Sequence, residues 1–218
     1  ANGAVNLCFD VINYHYYSND GDVRTHKQAT TGVAPELSAA GSIADGFVKV
    51  GKQYNLPVWV TEAGYDINAG SYQRAIAIGS KSALITQADW ILRTCLLYMR
   101  HSVQSLYFYQ LFDVTADNPT QYATSGLAEG IKRRPAADYI LQTTKLMGSY
   151  TYSQTINADP LVDVYVSGKK TMYVLTIPDQ KGRTGTYTLD LGRGISSATI
   201  YIPTAGADAM TKTTSAAA

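Results

Sequence analysis

Neither sign of charge dominates this chain, in which 18 Lys and Arg residues stand against 17 Asp and Glu over 218 positions. It also lacks any Lys/Arg cluster interleaved with aromatics, the footprint that phosphate polymers require, so nucleic acid is not an expected partner. Cysteine is scarce. Cys8 and Cys95 lie in apolar segments and read as buried thiols, without a CxxC pair or a His/Cys cluster at metal spacing. Neither a metal site nor a disulfide framework is expected. No apolar run is long enough to cross a bilayer, so a membrane partner is not expected either. Tyrosine, by contrast, is abundant at 17 residues. Its flat apolar face and hydroxyl suit sugar rings as well as ordinary strands and interfaces. The length allows one large domain or two smaller ones, with ample core.

The pattern is organised around LPVWVTEAGYD, Leu56 to Asp66, where an apolar β-type run ends in a carboxylate. Val58, Trp59 and Val60 favour a strand, Pro57 suits its first position, and Gly64 permits the turn that leaves it. Glu62 is thereby expected at the C-terminal mouth of a strand, where parallel α/β architectures do their chemistry. Period 2 puts Val58, Val60 and Glu62 on one face, and Trp59 and Thr61 on the other, toward the helices. A carboxylate closing an apolar row is costly unless it is used or paired.

Before this stretch, Val5 to Tyr17 (VNLCFDVINYHYY) reads as a buried strand with Val11, Asn13, His15 and Tyr17 on one face. Glu36 to Tyr54 has helical apolar spacing, with Pro35 near its start and Asn55 at its end. A long polar loop, Ile67 to Lys81, follows the Glu62 strand and is expected either to bind a ligand or to be solvated. Ile85 to His101 is the clearest helix, with Thr86 as candidate N-cap and Trp90 in its core face. Ser105 to Asp113 (SLYFYQLFD) reads as an aromatic-rich buried strand, of which at most one of Phe108 and Tyr109 faces the mouth. Lys132, Arg133 and Arg134 read as a solvated charge run. Pro135 to Met147 then resumes helix, closed by Gly148.

Strand, helix, strand, helix, strand, helix argues for parallel strands joined by crossovers. Beyond Gly148 the pattern becomes antiparallel all-β, with short runs at Tyr150 to Ile156, Val162 to Ser167, Thr171 to Ile177, Thr186 to Leu191 and Thr199 to Ile202. Residues from Thr204 to Ala218 read as a tail or an interrupted final strand. The expected division is 1–148 and 149–218.

VWVTEAGYD, FDVINYHYY and LYFYQLFD together resemble the last three barrel strands of clan A glycoside hydrolases, retaining enzymes on an eight-stranded (β/α) barrel. Several members of the kinds grouped with families 5, 30 and 39 carry a β-sandwich behind the barrel, as the trailing module here suggests. The resemblance implies α/β plus all-β architecture, a partial (β/α)8 TIM barrel followed by a small antiparallel β-sandwich. It implies Glu62 as nucleophile, with His15 and Tyr17 matching a His-x-Tyr pattern beside the sugar. Asn13, Tyr65, Phe108 and Tyr109 complete the candidate sugar contacts, the last two standing where the clan usually presents a tryptophan. A carbohydrate substrate, no cofactor, no metal, and a secreted or periplasmic parent protein are implied as well.

Retaining chemistry needs two carboxyl groups roughly 5–5.5 Å apart, one attacking the anomeric carbon and one protonating the leaving oxygen. The clan supplies the second from an Asn-Glu pair ending its fourth strand, and this chain starts just before the sixth. Asp66 and Asp113 are weak substitutes, one too close to Glu62 in sequence, the other on a neighbouring strand. The expectation is therefore the C-terminal part of a longer hydrolase, inactive alone. Its open edges would be covered by the N-terminal part of the barrel or by self-association. The alternative is a non-catalytic carbohydrate-binding or scaffold module, and a glycosyl-transferring variant would differ only in its products.

Overall fold

The computed structural model describes residues 8–114, 120–191 and 194–216. Three parallel strands, β1 (Ile12–His15), β2 (Val58–Glu62) and β3 (Ser105–Leu106), lie side by side in chain order. Helix α1 (Ala40–Tyr54) connects the first two and α2 (Ala83–Arg100) the second two. A two-stranded hairpin, β4 (Ala128–Glu129) and β5 (Lys132–Arg133), then leads into α3 (Pro135–Met147). The remainder is antiparallel: β6 (Thr151–Ala158), β7 (Leu161–Ser167) and β8 (Lys170–Thr176) form one sheet, and β9 (Ser197–Ile202) pairs with β10 (Thr211–Ala216). The fold is thus mixed α/β with several sheets, and the described residues close no barrel.

Local chemistry sets most boundaries. Asn55 ends α1 in the left-handed conformation at φ 54°, which Asn tolerates better than most residues. Pro35 begins a separate 3-10 turn, Pro35–Leu37, so α1 starts four residues later than its apolar spacing suggests. The cap of α2 is Ser82, whose hydroxyl accepts from the Ile85 N–H, while Thr86 lies buried within the helix. Helix α3 matches its predicted span, with Pro135 in the first turn. Thr186 to Leu191 forms no strand, whereas the segment read as a tail or an interrupted final strand supplies β10. Val5 to Leu7 of the first predicted strand lie outside the described residues.

The main core lies between the parallel sheet and its helices. Tyr14, Val58 and Val60 pack against Ala40, Ala44 and Val48 of α1 and Leu97 and Tyr98 of α2. Burying each large aliphatic side chain of this kind stabilises by roughly 1.5–3 kcal/mol. Trp90 is buried between α2 and α3 as predicted, beside Tyr65 and Tyr139. Trp59, by contrast, alternates onto the face away from the helices, where its ring meets Tyr107 at 6.1 Å.

A third cluster, Leu96, Met147 and Tyr165, seats the antiparallel sheet on the helical layer. Arg100 clamps the buried Asp163 of β7 at 2.7 Å. Arg93 holds Glu36 at 2.6 Å and also donates to the Asp179 carbonyl. The charge run before α3 is not solvated throughout. Arg134 is buried and bidentate to Asp113, and Arg133 pairs with Asp138. Cys8 is exposed rather than buried, while burial pushes the Cys95 thiol up to about 12.

Candidate functional site

Strict alternation would leave Glu62 on the helical side with Val58 and Val60, and the structure departs from it by one residue. Tyr14 pairs with Val60 but His15 pairs with Glu62, so Thr61 is an extra residue on β2. Such a bulge re-aims the side chain that follows it. Glu62 consequently joins His15 on the face opposite the helices.

Three side chains converge there. The Tyr17 hydroxyl donates to Glu62 Oε2 at 3.0 Å, and His15 Nδ1 lies 3.4 Å from the same oxygen. Among the described residues Oε1 accepts no hydrogen bond, and the Glu62 side chain remains 34% exposed. The Tyr16 N–H donates to the Glu62 carbonyl, tying the two strand ends together. Burial, followed by the hydrogen bond to Glu62 and the Glu62 charge, pushes the Tyr17 phenol well above its ordinary range. The phenol therefore stays protonated at neutral pH and remains a donor to the carboxylate.

The chain after Glu62 is tightly threaded. A Cβ on Gly64 would lie 2.5 Å from the Tyr109 carbonyl oxygen, so only glycine lets the segment after β3 pass this close. The Ala63 N–H donates to Tyr107 O, and the Tyr109 N–H donates back to Ala63 O. Tyr109 thereby reaches the mouth, near enough for its phenol to add to the rise at Tyr17.

The other candidates divide. Asn13 is exposed, two residues before His15 on the same strand face. Phe108 does not reach the mouth, because it packs against both major core clusters on the helical side. Tyr65 does not reach it either. It is buried against Trp90 at 5.1 Å, and its hydroxyl donates to the Val33 carbonyl.

Neither alternative carboxylate stands free. Buried Asp66 accepts from the Ser71 hydroxyl, the Tyr122 and Thr124 N–H groups and the Thr124 hydroxyl. Asp113 accepts from both Arg134 Nη atoms and the Gly126 N–H. The Ile67 to Lys81 loop is not a solvated flap, since Ser71, Gln73 and Ala75 are buried and its middle is tied to Asp66.

One neighbour escaped the sequence reading. The Tyr122 ring lies 4.6 Å from the Tyr17 ring, tilted by 58°. Its loop position carries no periodic signal, and the contact spans a sequence separation that only tertiary structure brings together. Two shallow depressions, of about 300 and 310 Å³, are lined by residues such as Asp45, Lys49, His101, Lys52, Pro57 and Gln104, and neither includes Glu62. Among the described residues no group of three His, Cys, Asp or Glu side chains could hold a metal ion, and no helix is long and apolar enough to cross a membrane.

No family model matches the sequence, and no curated protein matches it.

Proposed function

We propose that the chain is the nucleophile-bearing part of a retaining glycoside hydrolase acting on β-linked polysaccharides or oligosaccharides. The observation that carries this reading is the Glu62 carboxylate itself. It stands at the C-terminal end of a parallel strand, turned out of the helical core by a bulge, with Oε2 engaged by Tyr17 and His15 and Oε1 open. The three parallel strands would be the last of a (β/α)8 barrel, with β1 and β3 extended by strands from outside these residues and the antiparallel sheet as an accessory β-sandwich.

In this mechanism Oε1 of Glu62 attacks the anomeric carbon as the glycosidic C–O bond breaks. A second carboxyl group protonates the departing oxygen, then takes a proton from the water that cleaves the glycosyl–Glu62 ester. Tyr17 and His15 hold the nucleophile in line, and Tyr109 and Asn13 border the sugar. Asp66 and Asp113 are saturated by structural donors, so the acid/base carboxyl would come from another segment of polypeptide and the 218 residues alone would not turn over.

In the complete enzyme Glu62→Gln should lower turnover on the order of 10³-fold or more while the fold persists. A fluorosugar that traps the glycosyl ester should label the peptide containing Glu62. Labelling of a different carboxylate, with an active Glu62→Gln enzyme, would retire the assignment. Oligosaccharide binding without turnover in the complete protein would favour a glycan-binding module instead.

A further inference from the structure

We propose that Tyr122 is a positioning residue for Glu62: seated by the buried Asp66 carboxylate, its ring holds the Tyr17 phenol where it donates to Glu62. This rests on the reading of Glu62 as nucleophile, and it assigns a purpose to a residue that local structure disfavours. Tyr122 has φ 70°, a left-handed conformation that glycine adopts freely and tyrosine does not. Strain of this kind persists only where the surroundings over-determine it.

The surroundings do so here. The Tyr122 N–H donates to Asp66 Oδ2 at 2.9 Å, and its carbonyl accepts from Gln110 Nε2 at 3.1 Å. Its hydroxyl accepts from Gln73 Nε2 at 3.3 Å. Asp66 is 1% exposed and is itself fixed by Ser71 and Thr124, so its grip on the loop is rigid. The result is a continuous line from the buried carboxylate through Tyr122 to Tyr17 and on to Glu62. Tyr17 follows the end of β1 and is not part of a paired strand. The Tyr122 ring packs on it with centroids 4.6 Å apart.

The Tyr17 phenol is the probe. The groups acting on it are the Glu62 carboxylate and the phenols of Tyr109 and Tyr122, with His15 sharing the same Glu62 oxygen. In the 218-residue chain carrying ¹³Cζ-tyrosine, the Tyr17 signal, assigned by its loss in Tyr17→Phe, should stay un-ionised through about pH 11, against an ordinary phenol value of about 10. Tyr122→Gly removes the ring and relieves the backbone together, so the fold should be retained. Its Tyr17 should ionise at least about one unit lower than in the wild type. Tyr122→Phe keeps the ring and removes only the phenol's own contribution, so its Tyr17 should titrate closer to the wild type than that of Tyr122→Gly.

An unchanged Tyr17 titration in folded Tyr122→Gly would overturn the proposal, as would an equal fall in Tyr122→Phe. The nucleophile assignment fails separately. Loss of the Tyr17 shift in Tyr122→Gly together with fluorosugar labelling away from Glu62 would uphold the positioning contact and retire the chemistry attached to it.

Discussion

Two glycines of this chain should respond to the same substitution with opposite signs. At Gly64 an added Cβ would meet the Tyr109 carbonyl oxygen at 2.5 Å and the Tyr17 ring at 3.7 Å. Reaching even 3.0 Å requires the two backbones to part by about 0.5 Å, because a carbonyl cannot swing aside as a side-chain tip can. The Tyr109 segment is pinned, with its N–H on Ala63 O and the Gln110 carbonyl accepting from the Leu127 N–H. Overpacking of this sort costs about 1–3 kcal/mol. For a chain of this size that lowers Tm by roughly 2–12 °C, taking about 2–4 °C per kcal/mol. Gly46, in the middle of α1, has nothing within 4 Å of its virtual Cβ, so Gly46→Ala should gain roughly 0.5–1 kcal/mol of helix stability. Thermal unfolding followed by far-UV circular dichroism reads both. A Gly64→Ala protein melting within a degree of the wild type, or two variants moving in the same direction, would refute the packing described around Glu62.

Arg134→Met should cost about 3–5 kcal/mol, because it strands the nearly buried Asp113 carboxylate without its bidentate partner. Urea denaturation measures it, and an unchanged midpoint would contradict the buried pair. Asp20 predicts a pH dependence. Burial raises its carboxyl, but the Thr30 and Thr31 N–H groups, the Thr30 hydroxyl and Lys27 outweigh that and hold it well below the usual range. A depressed folded-state value means stability that is fully present at neutral pH and is lost as the pH falls below about 4, where the unfolded chain takes up the proton first. The gap in urea midpoint between the wild type and Asp20→Asn should therefore shrink between pH 7 and pH 3, and a constant gap would refute the assignment.

Glu62, His15 and Tyr17 were legible as neighbours because each ends an apolar β-type run, and parallel strands bring equivalent ends together. The faces of Val58, Trp59 and Val60 were not. Alternation assumes one residue per ladder step, and the Thr61 bulge breaks that count just before Glu62, which also reverses the expected positions of Trp59 and of Val58 and Val60. Phe108 and Tyr109 could not be separated by pattern, since β3 is regular for only two residues. Tyr65, a candidate sugar contact, is instead carried into the core after the turn at Gly64. The pairings of Asp113 with Arg134 and of Tyr122 with Tyr17 are tertiary throughout, and neither leaves a trace in local composition.

Four carboxylates of the described chain make a useful contrast with Glu62. Asp66, Asp163, Glu36 and Asp113 are secluded, and each engages both oxygens with arginine, hydroxyl or backbone donors. This is what seclusion from water demands, since an ionised group gives up its hydration only for equivalent partners. Glu62 is different. Its two contacts, Tyr17 and His15, share one oxygen, and its other oxygen is open. A carboxylate that served only stability in such a place would be improved by an arginine or replaced by an apolar residue. A solvent-open oxygen at the end of a strand, with its partner oxygen held by a phenol that stays protonated, fits the nucleophile role proposed for Glu62.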